Sequence, residues 1–486
     1  MGTIAFIASL LFLHIVHSNN LGFSPDSMAY LEGAKNIKTG NGFIYNNGDL
    51  INHWPPLYSL ILAISSFITN TDLLYTGKYL HTVLIIGVIF VFNRILNELR
   101  INKYLSIFII VLILISAPFK IFLWQLSEGL FIFLLLSSFY CFALWLKDRS
   151  RKYLILTAIF SGLFFLTRFA GIGFIAAYIL SIYFFSIGSN SKKIKNVFLF
   201  LIPLFLIITP WLLYAKFMDS DLQDGFFEMY TITGKKLGNF ISVIKNWFFG
   251  SYFAVKSAPF VLILILFEII KNRKRFFKLI PEYFIGYQRS IYVAFTLIIS
   301  YTVFLFISAS FFVNGIPFDN RILIPIFPFL IIIIATLLQF AFKHDFKLIF
   351  YCSIAFLLTS FATSGVPVYK EYYKNGLGFT QMKWKNSPTL DFISRDENMV
   401  YYSNANELLK LHTDKVANAF PNNSKKEQLQ EVKKELENQS AQIVIIENFG
   451  WPSYLVPKNL ILKEFRNFNF VNFKDGLIIS GPSICK

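Results

Sequence analysis

The stretch that decides the fold is SPDSMAYLEGAKNIKTGNGFIYNNGDLINHWPPLY, residues 24–58. It is a polar loop between two apolar segments, in a chain that is otherwise mostly apolar. Long connections in compact proteins are usually functional or disordered. The aromatic residues, the glycines at turn positions and the rigid Pro55-Pro56 exit are not typical of a disordered linker. We therefore predict that this loop forms the floor of an active site at a membrane surface.

The composition predicts a polytopic α-helical membrane protein. Hydrophobic residues make up 55% of the 486 residues, charged residues make up 15%, and the mean hydropathy is +0.56. A soluble chain of this length cannot bury so much apolar surface. The net charge of +17 arises mostly from short Lys and Arg clusters between apolar spans. This positive-inside pattern favours membrane lipids, and not nucleic acid, as partners.

The apolar segments predict eleven to thirteen transmembrane helices. A first span at 4–16 and a loop at about 19–56 precede a short run at 57–68, which is re-entrant or interfacial if the charges decide the topology. The full-length candidates are 76–97, 104–118, 121–146, 153–167, 170–187, 196–217, 252–270, 290–313, 322–342 and 346–364. If 57–68 crosses, another crossing is expected near 218–250. If the spans between them are counted as crossings, the basic connectors face the cytoplasm. The 19–56 loop, the turn before Glu128 and everything after Gly365 then face outwards.

The composition changes sharply after residue 365, which predicts two domains. Residues 1–365 form the transmembrane domain, and 366–486 form a small extracytoplasmic α/β domain. In the second domain, Ser387-Pro388 and a Ser424-x-x-Glu427 capping box predict helix starts, the latter helix extending to about Asn438. Apolar runs at 399–403, 442–447 and 476–480 predict strands.

Two acidic residues are the candidate catalytic groups. Asp26 follows the first span, and Glu128 lies at the outer end of a later span in Gln-Leu-Ser-Glu-Gly. An ionisable residue at membrane depth is a functional hypothesis by default, because burying its charge is costly. Two carboxylates at one membrane face can deprotonate a hydroxyl or amine, or hold a divalent cation. The alternative for Asp26 is the N-cap of a surface helix.

Two arginines at outer span ends are the candidate phosphate ligands, since the guanidinium fork matches phosphate geometry. Arg168 lies in Leu-Thr-Arg-Phe-Ala-Gly, and its alternative is snorkelling to the interface. Arg321 lies in Phe-Asp-Asn-Arg, and its alternative is an ion pair with Asp319.

Three residues of the loop are candidate substrate contacts. Tyr45 and Trp54 offer rings that stack on a sugar, although interfacial belt residues are the commoner explanation. His53 lies at the loop exit, where a lone His is more often structural than catalytic.

Several of these segments form an ordered series along the chain. The series is Pro25-Asp26-Ser27, Ala34-x-x-Ile37-x-x-Gly40-x-Gly42-Phe43, Trp54-Pro55-Pro56-Leu57-Tyr58, Ser127-Glu128, Thr167-Arg168-x-x-Gly171 and Arg321-Ile-Leu-Ile-Pro325. It resembles the membrane glycosyltransferases of the GT-C superfamily, in particular the protein O-mannosyltransferase-like and lipid A aminoarabinose transferase-like branches. The resemblance covers about residues 1–345.

The resemblance implies an enzyme that moves a sugar from a polyprenyl-phosphate donor to an extracytoplasmic lipid, glycan or protein. Asp26 would be the general base, and Glu128 a second acid that orients the acceptor or, in some relatives, a metal. Arg168 and Arg321 would hold the departing phosphate, and Tyr58, which closes the motif at the loop exit, would contact the substrate. The aminoarabinose branch commonly has Lys where this chain has Trp54, which leaves His53 as a stand-in for that phosphate contact.

Two other function classes share this composition. A transporter or lipid-linked-sugar flippase would place its charges near the bilayer midplane, on broken helices. A non-catalytic assembly protein would bind a partner through its soluble domain and would not need Asp26. Acids at outward-facing span ends favour surface chemistry, at the cytoplasmic (inner) membrane with the active site and C-terminal domain outside.

Overall fold

The computed structural model describes residues 1–17, 19–45, 48–218, 234–287, 289–311, 317–395 and 399–481. These residues belong to two compact units. The first unit comprises Met1–Leu21 and Ala29–Lys374, and the second comprises Gly22–Met28 and Asn375–Lys486.

The first unit is built of helices. They are α1 Gly2–His17, α2 Pro25–Lys38 (which begins in the second unit), α3 Leu57–Thr69, α4 Leu73–Glu98, α5 Lys103–Ile115, α6 Glu128–Asp148, α7 Arg151–Phe165, α8 Ile172–Phe185, α9 Asn190–Met218, α10 Gly234–Phe249, α11 Tyr252–Lys271, α12 Arg273–Tyr287, α13 Arg289–Phe311, α14 Asn320–Leu323, α15 Phe327–Lys343 and α16 Lys347–Asn375. Short 3-10 helices occupy Ala117–Leu123, Phe169–Gly171 and Ile324–Ile326.

The chain is an integral membrane protein. Within the described ranges, seven helices are long and apolar enough to cross a membrane, or eight if the bent pair around Ser116 forms one span. Shorter apolar helices occupy Gly2–His17, Leu57–Thr69 and Phe169–Phe185. The lower predicted count of eleven leaves 57–68 out, and it therefore requires the bent pair, Gly2–His17, Phe169–Phe185 and the 15-residue α7 to cross as well. The 13-residue α3 is about 20 Å long, which agrees with the short segment predicted there.

The span predicted at 121–146 begins too early. The chain bends by 64° between Lys103–Ile115 and the 3-10 helix Ala117–Leu123, and α6 begins only at Glu128. Pro118 lies at the start of that 3-10 helix, where its ring prevents a continuous α-helix. Hydropathy did not detect the break because the residues on both sides of it are apolar.

Of the seven candidate spans in the described ranges, the helix α6 is the most buried. It packs against α4 and α7, so its first residue enters the helical core directly. At another crossing, α16 passes the end of α5 so closely that a Cβ on Gly365 would lie 1.8 Å from the Ile115 carbonyl oxygen. The helix α16 then continues past Gly365 to Asn375.

Two amphipathic helices lie where the sequence analysis placed connectors or a hidden crossing. The helix α10 covers part of 218–250, and residues 219–233 lie outside the described ranges. The helix α12 begins two residues after α11 and carries basic residues in its first two turns.

The loop that decides the fold is itself partly helical. Helix α2 begins at Pro25 and is capped by Ser24, whose Oγ accepts from Ser27 N at 3.4 Å while Ser27 Oγ accepts from Ser24 N at 3.0 Å. Asp26 therefore lies in the first helical turn and is not the N-cap considered from the sequence. A short hairpin follows, with a bridge between Ile44 and Leu50.

The second unit is an α/β domain, as predicted. Its strands are β1 Val400–Ser403, β2 Ala417–Ala419, β3 Ala441–Ile446, β4 Asn469–Asn472 and β5 Gly476–Ser480, and its helices are α17 Met382–Lys385, α18 Pro388–Arg395, α19 Asn406–Thr413, α20 Leu429–Glu437 and α21 Lys458–Glu464. The strand order is β2-β1-β3-β5-β4, with parallel pairs on the β2-β1-β3 side and antiparallel pairs around β5. The N–H of Phe379 donates to the Phe23 carbonyl, which joins the segment before α2 to this unit.

The three predicted strands are confirmed as β1, β3 and β5, and the edge strands β2 and β4 were missed. Edge strands are short and partly exposed, so their hydrophobic pattern is weak. The predicted capping box is wrong. Asn422 caps a 3-10 helix at Asn423–Gln428 by accepting from Ser424 N, and α20 starts only after it.

Candidate active site

Glu128 forms the centre of the candidate site. It is the first residue of α6, where the positive end of the helix dipole favours a carboxylate. Its side chain is 1% exposed. Its Oε1 accepts from Arg168 Nη1 at 2.6 Å and from Arg321 Nε, so the acid and both predicted phosphate ligands form one cluster.

The turn that carries Arg168 is held by backbone contacts. After α7 ends at Phe165, the N–H of Arg168 donates to the Phe164 carbonyl at 3.0 Å. The N–H of Gly171 then donates to the Arg168 carbonyl at 2.9 Å. A Cβ at Gly171 would lie 2.7 Å from the Phe164 ring, so only glycine allows this turn to pack without displacing the ring.

The turn that carries Arg321 is held by three side chains. Asp319 Oδ1 accepts from the N–H of Ile322 at 3.0 Å, and the Tyr301 hydroxyl donates to the Ile322 carbonyl at 2.7 Å. Trp247 Nε1 donates to Asn320 Oδ1 at 2.6 Å. The sequence analysis considered a phosphate or Asp319 as the partner of Arg321; the structure places Arg321 on Glu128, which was not considered, and uses Asp319 as a helix cap.

The cluster brings two guanidinium groups to one carboxylate oxygen, Glu128 Oε1. The side chains of Arg168 and Arg321 are only 14% and 27% exposed. A guanidinium group carries five N–H donors in a fixed fork, which is more than one carboxylate oxygen can accept. The arrangement can therefore bind an anion, and planar guanidinium groups suit phosphate.

A hydrogen-bonded link connects the cluster to α2. Arg168 Nη1 also donates to Ser127 Oγ at 3.4 Å, and Ser127 Oγ is 2.9 Å from the Tyr30 hydroxyl. The Tyr30 carbonyl accepts from Ser59 Oγ at 2.9 Å. The loop and the first turn of α3 are thus connected to the turn before Glu128 by side-chain hydrogen bonds.

Tyr58, a predicted substrate contact, is fully buried beside this link. Its ring packs edge-on against Tyr30, and its hydroxyl is 2.9 Å from His81 Nε2. His81 Nδ1 lies 3.0 Å from the Phe122 carbonyl, which can only accept. In a neutral ring the proton is therefore on Nδ1, and Nε2 accepts from the Tyr58 hydroxyl.

The remaining loop residues lie at the exit of the hairpin. Trp54 is half-buried between Tyr30 and the exposed His53. Tyr45 is half-buried against the cluster around Trp211. The start of α3 is joined to the turn that carries Arg168, because the N–H of Leu57 donates to the Leu166 carbonyl at 3.0 Å.

Asp26 belongs to the second compact unit and Glu128 to the first. The predicted meeting of these two carboxylates therefore stays a prediction. In the part of the chain that the structure describes, no group of three His, Cys, Asp or Glu side chains has the arrangement of a metal site. Glu128 is a poor cation ligand, because a divalent cation would be repelled by the two guanidinium groups on the same oxygen.

The sequence analysis did not single out Tyr30, His81 or Trp247. A histidine within the apolar run of α4 is the one pattern that would have marked His81, since ionisable residues are rare in spans. The other two are aromatic residues among many, and only their hydrogen bonds distinguish them.

No protein-family model and no curated protein matches the sequence. Solved structures do match. ArnT from Cupriavidus metallidurans in the apo state aligns over 99% of each chain, with a TM-score of 0.63 and 11% identity. The Archaeoglobus fulgidus oligosaccharyltransferase aligns over 91% of this chain and 68% of its own, with a TM-score of 0.54 and 14% identity. Arabinofuranosyltransferase AftD from Mycobacteria aligns over 99% of this chain and 40% of its own, with a TM-score of 0.56 and 12% identity.

These neighbours are GT-C glycosyltransferases. The chain has the GT-C fold. The predicted GT-C-like architecture is thereby confirmed, and the alignment with ArnT includes the C-terminal domain, which the sequence motifs did not reach. At 11–14% identity the likeness describes the GT-C fold, so the assignment of the site depends on this chain's own geometry.

Proposed function

We propose that this protein is a glycosyltransferase that moves a sugar from a polyprenyl-phosphate donor to an extracytoplasmic lipid, glycan or protein acceptor. The observation that carries the proposal is the buried cluster of Glu128, Arg168 and Arg321, in which two guanidinium groups meet at one carboxylate oxygen. A GT-C fold with an anion site at the ends of its spans suits a donor whose phosphate lies at the membrane surface.

The chemistry requires few groups from the protein. An acceptor hydroxyl or amine attacks the anomeric carbon, the bond to the phosphate oxygen breaks, and the phosphate leaves with one additional negative charge. Arg168 and Arg321 match that developing charge, which makes the phosphate a good leaving group. Asp26 takes the acceptor proton, and Glu128 holds both guanidinium groups in position.

Two complexes support a lipid-phosphate ligand. ArnT from Cupriavidus metallidurans has been solved bound to undecaprenyl phosphate, with a TM-score of 0.59 to this chain at 11% identity. AglB from Archaeoglobus fulgidus has been solved with an inhibitory peptide and a dolichol-phosphate, with a TM-score of 0.50 at 13% identity. By analogy, the donor of this chain is a polyprenyl-phosphate sugar.

The loop residues complete the proposed site. The hydrogen bond between Leu57 and Leu166 ties the His53–Trp54 exit to the Arg168 turn, which supports sugar or phosphate contacts from these side chains. Tyr45 would contribute a ring from the hairpin. Tyr58 would act through packing and its bond to His81, because it is fully buried.

The proposed location is the cytoplasmic (inner) membrane, with the active site and the second unit outside. Basic connectors between the spans support this orientation through the positive-inside rule.

The experiment is sugar transfer by purified protein in detergent, with a panel of polyprenyl-phosphate sugars. Asp26→Asn keeps the shape and removes the base, so transfer should fall at least about 100-fold. Arg168→Gln removes a phosphate ligand and should reduce transfer by a similar factor. Arg151→Gln is the matched control, because Arg151 is exposed at the other end of α7.

Each outcome separates the candidate functions. Full activity in Asp26→Asn would mean that another residue is the base. Full activity in Arg168→Gln would mean that Arg168 does not bind the phosphate. If no donor is turned over while fluorescent lipid-linked sugars cross liposomes containing the protein, the flippase alternative replaces the transferase. If neither assay responds, a non-catalytic assembly role replaces both.

A further inference from the structure

The helix α12 forms a basic amphipathic element at one end of the spans. Four of its first six residues are basic: Arg273, Lys274, Arg275 and Lys278. The helix has 15 residues, so it is about 22 Å long and too short to cross a bilayer. It must lie within or on the surface of the protein at that end.

One face of α12 packs on the turn between α15 and α16. Phe276 contacts Phe340 and Phe346 with ring centroids 5.8 and 5.3 Å apart. Tyr283, two turns later, contacts Phe340 at 5.1 Å. Arg275 Nη2 donates to the His344 carbonyl at 3.0 Å, which fixes the start of the helix.

These contacts set the level of α12 relative to the membrane. Basic residues lie at the ends of three adjoining spans: Lys271 at the end of α11, Lys343 at the end of α15 and Lys347 at the start of α16. Basic residues at span ends mark the headgroup level. Because α12 packs on the same turn, it lies at that level too.

The opposite face of α12 is exposed and combines charge with an aromatic ring. Lys274, Phe277, Lys278 and Pro281 are spaced as i, i+3, i+4 and i+7, so they share one face, and all are exposed. Phe277 is 65% exposed, between two lysines. A solvated charged face does not need a phenylalanine at its centre.

Two acidic side chains at this end are engaged away from that face. Glu268 Oε2 accepts from the backbone N–H of Ile349 at 2.6 Å, and Asp345 lies 3.7 Å from Lys347. In the described residues these two carboxylates contact other groups, and not the lysines of the exposed face.

We propose that α12 is an interfacial helix whose exposed face binds the headgroups of anionic lipids. Phe277 enters the boundary between headgroups and acyl chains, and Lys274 and Lys278 reach the lipid phosphates on either side. Charge complementarity and the headgroup level together select a lipid as the occupant. This site is separate from the glycosyl-transfer cluster and does not depend on the proposed reaction.

The test is native mass spectrometry of the full-length protein with equal amounts of phosphatidylglycerol and phosphatidylcholine. Wild type should retain phosphatidylglycerol preferentially. The double variant Lys274→Gln/Lys278→Gln should weaken phosphatidylglycerol binding by about 5-fold per lysine, or about 30-fold for the pair. Lys274→Arg/Lys278→Arg keeps both charges and should bind as wild type does.

The matched control is Arg151→Gln/Lys152→Gln, which removes two exposed charges from another basic connector. It should leave the lipid preference within about twofold of wild type, because each charge acts only near the surface it faces. Unchanged binding in the α12 variant, or an equal loss in the control, would overturn the proposal. Competition by inorganic phosphate as effective as that by phosphatidylglycerol would also overturn it, because the ligand would then be a soluble anion.

Discussion

Replacing Glu128 with Gln tests how the candidate site is held together. The substitution keeps the shape of the side chain and removes the one negative charge that two arginines share. Arg168 and Arg321 would then lie beside each other in a largely buried cluster without the Glu128 carboxylate between them. The structure therefore predicts both a loss of stability and a new demand for an anion.

The expected magnitude follows from burial. Removing one partner of a buried ion pair costs about 3–5 kcal/mol, because the other charge is left uncompensated. The arginine side chains are 14% and 27% exposed, so water screens part of the repulsion, and the lower end of that range, about 3 kcal/mol, is expected.

The assay is thermal unfolding of purified protein in detergent, with and without a polyprenyl phosphate. Glu128→Gln should unfold at a lower temperature than wild type, and the added lipid phosphate should raise that temperature more in the variant than in wild type. A ligand at 100 times its Kd stabilises the folded state by about 2.7 kcal/mol, which is enough to restore most of the loss.

Glu98→Gln is the matched control. Glu98 pairs with Lys147 at 2.8 Å, but the Lys147 side chain is 58% exposed, so this pair is screened by water and its removal should change the unfolding temperature little. Equal unfolding temperatures for Glu128→Gln and wild type would refute the reasoning about the buried charge. A destabilised variant that gains nothing extra from the lipid phosphate would refute the anion site.

Three further predictions concern the surroundings of the site and the second unit. Tyr58→Phe removes the donor to His81 Nε2 and should cost about 1–3 kcal/mol of stability, measured by thermal unfolding. Gly171→Ala places a Cβ 2.7 Å from the Phe164 ring and should reduce sugar transfer by displacing the neighbouring arginine turn. Burial, with smaller contributions from its surroundings, lowers the pKa of His412. Its stabilising effect is therefore present above the unfolded-state pKa of about 6.5 and is lost as the pH falls towards the folded-state value. Proteolysis of the second unit should become faster below about pH 6.5 in the full-length protein, and His412→Gln should reduce that dependence.

Each of these predictions has an outcome that contradicts it. An unchanged unfolding temperature in Tyr58→Phe would mean that the hydroxyl makes no net contribution. Normal transfer by Gly171→Ala would mean that the ring moves at no cost to the arginine. A His412→Gln protein with the wild-type pH dependence would assign that dependence to another group.

Much of the fold was predictable from local properties of the sequence. Hydropathy identified the spans, and the change of composition after residue 365 indicated a second domain. Three strands were recognised from short apolar runs, and two of them, β3 and β5, are buried on both faces, as is usual for strands in the middle of a sheet. The bend after α5 was missed, since hydropathy averages over the proline that causes it.

The candidate site was predictable only in part. The types and positions of Asp26, Glu128, Arg168 and Arg321 suggested acids and phosphate ligands, because an ionisable residue at membrane depth is costly to bury. The sequence offered Asp319 as a partner for Arg321, and the structure assigns Asp319 to the backbone of Ile322 instead.

What the sequence by itself determined is the class of protein, and it also predicts the chemistry of the charged residues and the side of the membrane that they face. These follow from hydropathy, charge and spacing, which are local properties. What only the tertiary structure decided is which charges meet. Glu128 and Arg321 are 193 residues apart, and their contact depends on how α6 packs among the other helices, which no local pattern encodes.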